Sequence, residues 1–142
     1  MITPWVEWAK KNQFIVLTPP NKSPEKDVPL AVDQWLFELK KEVGERYRID
    51  PAQTLLVGFE AGAHYAAYLG TRYPDEFSAV ALFREAWPGS FEKLIKPSTN
   101  PQKQISFYVS MDPKSEGFSV VEAKALEFEK KGYRVALDPL KS

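Results

Sequence analysis

The chain has 142 residues, and its 44% hydrophobic content is enough to build one packed domain. Its 19 basic and 19 acidic side chains cancel, which excludes a general electrostatic attraction to nucleic acid or to an anionic membrane. The absence of cysteine excludes disulfides, thiolate metal ligands and a cysteine nucleophile, and a single histidine does not make a typical zinc site.

Short β-rich runs alternate with helical periodicity along the chain, which is typical of a mostly parallel sheet flanked by helices. We therefore predict an α/β fold: a three-layer sandwich with a sheet of about five strands. Helices are expected at residues 4–11, 30–47, 61–72 and 118–131, with one further helical turn at 91–95. Strands are expected at residues 14–18, 54–58, 78–83, 105–109 and 134–137. The polar residues 21–27 predict a surface loop.

The most informative segment is the turn between the second predicted strand and the third predicted helix. It reads Gly58-Phe59-Glu60-Ala61-Gly62. Such a strand, turn and helix place the central side chain at the carboxyl end of the sheet, and the flanking residues must be small where the backbone folds tightly. With serine in place of Glu60, this turn would be a nucleophile elbow.

Further segments carry the same resemblance, in the same order along the chain. They are Trp8–Pro19, Tyr73-Pro74-Asp75-Glu76-Phe77, Phe107–Pro113 and Gly132–Val135. With the turn, they make the chain similar to the α/β-hydrolase superfamily, in particular to esterases of the phospholipase and carboxylesterase type. The resemblance implies a single domain over residues 1–142 that corresponds to part of that fold.

Three departures from the family pattern bear on function. Glu60 stands at the nucleophile position, no histidine follows the last predicted strand, and the family's first three strands have no counterpart. Asp112 alone matches a triad position. The resemblance therefore implies a degenerate, non-catalytic domain with a binding or assembly role, with Glu60 and Asp112 as vestigial triad positions. We expect neither metal nor cofactor, although a cation bound only by oxygen ligands stays open.

An enzymatic alternative also follows from these residues. A carboxylate can act as a nucleophile, so Glu60, with Asp112 and His64, could hydrolyse small esters, alone or completed by segments absent here. A polar cleft at the carboxyl end of the sheet is a related hypothesis, against the simpler one of a solvated rim. Its candidate residues are Phe59, Ala61, His64, Arg84 and Glu85. A flavodoxin-like or receiver-like module is disfavoured, because the loop after residue 18 lacks the expected phosphate-binding residues.

The missing strands leave an unpaired sheet edge near Phe14–Thr18 and Thr54–Gly58. The two predicted strands could pair directly, a second copy could cover the edge, or the segment could belong to a longer protein. We expect a homodimer or a partner chain at this edge. No apolar stretch approaches the roughly 20 residues that span a bilayer, and no signal peptide is recognised, so a cytoplasmic location is expected without nucleic-acid or membrane partners.

Overall fold

A computed structural model of the chain describes residues 3–19, 30–87, 89 and 91–139. The chain divides into two compact units, residues 1–41 and 42–142, and the boundary falls within the second helix. The surface loop predicted at residues 21–27 lies outside the described residues.

The smaller unit begins with helix α1, Thr3–Asn12. Gln13 has φ 59° and lies in the left-handed region, and the Phe14 N–H then donates to the Ala9 carbonyl at 2.9 Å. A left-handed residue followed by this long backward hydrogen bond is a common helix ending. The ring of Phe14 packs on Trp8 with centroids 4.9 Å apart, so the turn folds the chain back onto the helix.

The strand predicted at residues 14–18 is absent: residues 14–19 have no regular secondary structure. Ile15, Val16 and Leu17 are exposed. The apolar run supplied suitable side chains, but a strand also needs backbone partners on a neighbouring strand. Within the described part of the chain, no strand pairs with this segment.

Helix α2, Leu30–Arg46, confirms the second predicted helix to within one residue. All of its predicted apolar positions are half-buried, namely Val32, Trp35, Leu36, Leu39 and Val43. The charged residues Glu38, Lys41 and Glu42 are exposed. Lys40, also expected on the solvent side, is half-buried, and Asp33 is 1% exposed. The helical spacing therefore predicted the half-buried apolar positions of α2 and only part of its solvent side.

The larger unit contains a sheet of four parallel strands, where about five were predicted. The strands are β1 (Leu55–Phe59), β2 (Ala79–Phe83), β3 (Ser106–Met111) and β4 (Val135–Pro139), in the spatial order β1-β2-β3-β4. Helix α3, Ala61–Arg72, joins β1 to β2, and helix α4, Phe118–Lys130, joins β3 to β4. In the connection from β2 to β3, the described residues form only short 3₁₀ turns, at Glu92–Leu94 and Pro101–Lys103.

One face of this sheet carries the core. Because the strands follow one another in a single direction, connections of the same hand place α3 and α4 on the same face. The core residues of the two helices are Ala63, Ala66, Ala67, Val121, Ala125 and Phe128. They pack with strand residues that alternate along the chain, namely Val80, Leu82, Phe107, Val109 and Met111. This face is called the covered face below.

The opposite face of the sheet receives no helix from this unit. We call it the bare face. Its residues alternate with those of the covered face, and they are Leu55, Val57, Phe59, Ala79, Ala81, Phe83, Ser106, Tyr108, Ser110, Ala136 and Asp138. Leu55, Val57 and Phe59 are 51%, 37% and 43% exposed. The larger unit by itself therefore has two layers, where three were predicted for the chain. Parallel sheets are ordinarily covered on both faces, so a face with large apolar side chains on β1 and no helix from its own unit is an unusual feature.

Candidate functional site

The predicted turn at Glu60 is a one-residue connection between β1 and α3. Glu60 has φ 51° and ψ −120°, a backbone conformation that non-glycine residues seldom adopt. Its N–H donates to the Phe83 carbonyl at 3.0 Å, and its carbonyl accepts from the Ala63 N–H at 2.9 Å. These two bonds fix the strained residue between the end of the sheet and the first turn of the helix.

The two glycines of the turn differ in their surroundings. A Cβ on Gly58 would lie 2.8 Å from both the Ala63 Cα and the Ala66 Cβ, so α3 crosses β1 in direct backbone contact. A Cβ on Gly62 would have no atom within 4 Å. The expectation that small residues are required on both sides of Glu60 is therefore wrong for Gly62, because this position faces open space.

The carboxylate of Glu60 forms an ion pair with Arg84, whose Nη1 donates to Oε1 at 2.9 Å. Arg84 follows β2 directly and has φ 71°, and its N–H donates to the Ser110 carbonyl at 2.9 Å. Two left-handed, non-glycine residues thus end neighbouring strands and bind each other. Their side chains are 65% and 70% exposed, so the pair lies in solvent.

His64 belongs to a separate group of contacts. Its Nδ1 lies 2.9 Å from the Ala86 carbonyl, which only accepts, so Nδ1 carries the proton. Its Nε2 lies 3.7 Å from Glu85, and its side chain is 15% exposed. Gly89 has φ 150°, and a Cβ there would overlap the imidazole ring. The ring is therefore a packing element that holds the segment after β2 against α3.

Asp112 follows β3 and stabilises the next turn. Its Oδ1 accepts from the Lys114 N–H at 2.9 Å, and its carbonyl accepts from the Ser115 N–H at 3.0 Å and hydroxyl at 2.7 Å. This arrangement is an Asx-type turn. Among the described residues, no hydrogen bond or ion pair connects Asp112 or His64 with Glu60. The structure thus brings Glu60 to Arg84 and His64 to Glu85, and it leaves Asp112 apart from both.

Phe59 and Ala61 flank Glu60 and are both exposed. Phe59 stacks on Phe83 with centroids 4.8 Å apart and planes at 15°, and Phe83 lies 6.0 Å from the Tyr108 ring. An aromatic row therefore crosses three strands of the bare face. Sequence reasoning did not identify Phe83 and Tyr108 as partners of Phe59, although the two-residue periodicity of the strands was the signal that could have found them.

Tyr108 also forms a polar contact on the bare face. Its hydroxyl donates to Oδ2 of Asp138 at 2.7 Å. The hydrogen bond to this carboxylate raises the pKa of the Tyr108 phenol above its ordinary value, and desolvation and the negative charge of Asp138 add to the effect. The phenol is thereby kept protonated and oriented towards β4.

The carboxyl edge of the sheet lacks the usual position for an α/β ligand. Ligands in open α/β sheets bind where the strand order reverses, and the order β1-β2-β3-β4 has no reversal. An open hollow of about 460 Å³ lies instead over the amino ends of β2, β3 and β4, lined by residues that include Ala79, Ser106, Tyr108 and Arg134. None of the candidate site residues lines it.

Comparison with protein-family models, with curated proteins and with solved structures finds no match to this chain. No helix in the described parts of the chain is both long and apolar enough to cross a membrane.

Proposed function

We propose that this chain is a degenerate, esterase-like α/β-hydrolase domain that does not hydrolyse esters and serves in binding or assembly. The observation that carries this proposal is the pairing of Glu60 with Arg84 at 2.9 Å, at the position where a nucleophile elbow presents its serine. The only histidine of the chain makes its contacts elsewhere, with Ala86 and Glu85.

Local geometry supports the relationship to α/β-hydrolases. A nucleophile elbow is a strained turn between a parallel strand and a helix, and Glu60 has such a strained backbone between β1 and α3. The direct contact of Gly58 with α3 is the close approach that an elbow requires. The elements that follow, β2, β3, α4 and β4, come in the order that the resemblance implies.

The side chains around the turn argue against hydrolysis. An acyl intermediate on a carboxylate must be attacked by a water molecule that a base activates. The proton on Nδ1 of His64 is bonded to a carbonyl, and the ring is largely enclosed. Arg84 donates a hydrogen bond to Oε1 of Glu60, so this carboxylate oxygen is already engaged where a nucleophile would have to attack a substrate.

One observation favours the enzymatic alternative, in which Glu60 is the nucleophile. Its side chain is exposed and its backbone conformation is of the kind that concentrates at functional sites. This alternative requires a mixed anhydride between the acyl group of the substrate and the Glu60 carboxylate, formed as the alcohol of the ester leaves, which water then hydrolyses. The same experiment therefore tests both functions.

The test is the hydrolysis of a panel of short-chain p-nitrophenyl esters by the purified protein, beside Glu60→Gln and Arg84→Gln. We expect all three proteins to give the same background rate. Turnover by the original chain that disappears in Glu60→Gln, together with an acyl adduct on Glu60 in the mass spectrum, would overturn the non-catalytic proposal. Arg84→Gln is the matched control, since it removes the ion pair and keeps the carboxylate.

A further inference from the structure

We propose that the free edge of β1 pairs with β1 of a second copy of this chain, antiparallel and about a two-fold axis at Val57. This inference rests on the assembly role proposed above and names the partner. The two four-stranded sheets would join into one sheet of eight strands. Three features of β1 support this pairing. Its outer backbone groups point away from the sheet, it contains no charged residue or proline that would hinder a further strand, and its sequence fits a second copy of itself.

The backbone groups that point away from the sheet can be assigned from the bonds at the two ends of β1. The Thr54 carbonyl accepts from the Ser78 N–H, and the Glu60 N–H donates to the Phe83 carbonyl. Since strand residues alternate in direction, residues 54, 56, 58 and 60 face β2. Leu55, Val57 and Phe59 therefore direct their N–H and C=O groups to the free edge, where the described part of the chain supplies no strand.

The two edges of the sheet differ in protection against pairing. On β4, Asp138 places a charge within the strand, and the strand ends at Pro139, which has no N–H to offer to a further strand. Charged residues and proline are the usual devices that keep an edge strand from pairing with another chain. The sequence of β1, Leu55–Phe59, contains neither. One edge is thus blocked by its residues, and the other is a template for a further strand.

The symmetric register fits β1 to itself. With Val57 opposite Val57 of the second copy, Leu55 lies opposite Phe59 in both directions. The three residues that face the edge supply three N–H and three C=O groups from each copy, and this register pairs all of them. Each directly opposite pair is aliphatic with aliphatic or aromatic with aliphatic, which are favourable cross-strand neighbours on one face.

The charges around β1 permit this register. No charged residue lies within the strand, so no like charges meet across the axis. Glu60, the first charged residue after the strand, comes opposite Thr54 of the second copy, which is neutral. A second copy therefore satisfies the edge without any change of sequence, whereas a different chain would need a matching neutral strand of its own.

The size of the contact predicts how tightly the copies associate. A five-residue edge buries less than the roughly 800 Å² per partner of a standard interface, so it belongs to the weak, concentration-dependent class. The bare faces of the two copies fall on the same side of the joined sheet. The aromatic row on each copy ends at Phe59, which then lies opposite Leu55 of the other copy on the same face.

The test is sedimentation equilibrium of the full chain over micromolar to millimolar concentrations, with variants at the axis. Val57→Lys and Val57→Glu each place like charges opposite one another, so we expect each alone to raise the dimer dissociation constant by about tenfold or more. An equimolar mixture of the two should dimerise again, because opposite charges then meet. Ala136→Lys is the matched control, since it lies in the same register row on β4.

A cross-link gives an independent reading of the register, since the chain has no cysteine of its own. Opposed residues that exchange hydrogen bonds have Cα atoms about 5.5 Å apart, within disulfide range. Under mild oxidation we expect Val57→Cys to form a covalent dimer by itself. Leu55→Cys should form one rapidly only when it is mixed with Phe59→Cys.

The expected pattern is a dimer of the original chain and of Ala136→Lys, loss of the dimer in each single Val57 variant, and its return in their mixture. A monomer at every concentration would overturn the self-pairing. It would not affect the non-catalytic proposal, which the ester assay tests separately. A dimer that the Val57 variants do not weaken would also overturn it, because the interface would then lie elsewhere. Ester turnover that depends on Glu60 would instead overturn the proposed function, whatever the oligomeric state.

Discussion

The two faces of the parallel sheet are built from the same strands and have different surroundings. In β3, Phe107 is 2% exposed on the covered face, and its neighbour Tyr108 is 39% exposed on the bare face. In β3 and β4 the polar residues Ser106, Ser110 and Asp138 fall on the bare face, but β1 carries large apolar side chains there, so its sequence does not separate the two faces. The separation comes from the connections, which run in one direction and place both helices on one side. The coverage of a strand is therefore a property of topology.

The largest expected effect comes from removing a ring from the covered face. Phe107 packs against the rings of Trp87, Phe128 and Tyr133 at centroid distances of 5.2, 5.5 and 5.9 Å. Phe107→Ala would leave a cavity among them. We expect it to lower the free energy of unfolding by about 3–5 kcal/mol, as measured by urea denaturation.

The matched variant on the bare face is Tyr108→Ala. Its side chain is partly solvated already, so we expect a loss of about 1 kcal/mol or less. Equal losses for the two variants would contradict the assignment of the faces, because they would place Tyr108 in a packed layer. Both measurements should be made at one low protein concentration, so that self-association does not add to the stability.

The second comparison is between the two glycines of the turn. Gly58→Ala would force a Cβ into the backbone of α3, and we expect a loss of about 1–3 kcal/mol from overpacking. Gly62→Ala meets open space in the first turn of α3, so we expect no loss and a gain of up to about 1 kcal/mol from helix propensity. Thermal unfolding of the pair checks this, and the same sign for both variants would contradict the described contact of β1 with α3.

The smallest expected effect concerns the pH dependence of Tyr108. Its pKa is raised in the folded chain, from an ordinary value near 10, by the hydrogen bond to Asp138. Its contribution to stability is therefore fully present below the ordinary pKa and is lost as pH rises through the raised folded value. The difference in stability between the original chain and Tyr108→Phe should be constant at neutral pH and shrink in alkali. A difference independent of pH would contradict the bond.

Much of the fold followed from local sequence patterns. Helix α3 was predicted at its observed bounds, Ala61–Arg72, because the turn before it and the tyrosine and proline after it mark both ends. The four strands of the sheet were found to within about two residues at each end. The strand predicted at residues 14–18 was wrong, because a strand depends on a neighbouring strand that its own residues do not specify.

The site was predicted in part. The common position of Glu60 and Arg84 follows from parallel pairing, since residues after neighbouring strands meet at one edge of the sheet. The contact of Gly89 with the His64 ring could not be predicted, because it depends on how the irregular segment after β2 folds back on α3. The turn at Asp112 agrees with its position before Pro113, since aspartate and proline are common turn residues.

The most direct test of the account is amide hydrogen exchange along β1, measured at low and high protein concentration. The Leu56 and Gly58 amides face β2 and should be protected at both concentrations. We predict that the Leu55, Val57 and Phe59 amides exchange fast in dilute solution and become protected as concentration rises. If these three amides exchange fast at every concentration while Leu56 and Gly58 stay protected, the edge of β1 is unpaired and the self-assembly account is contradicted.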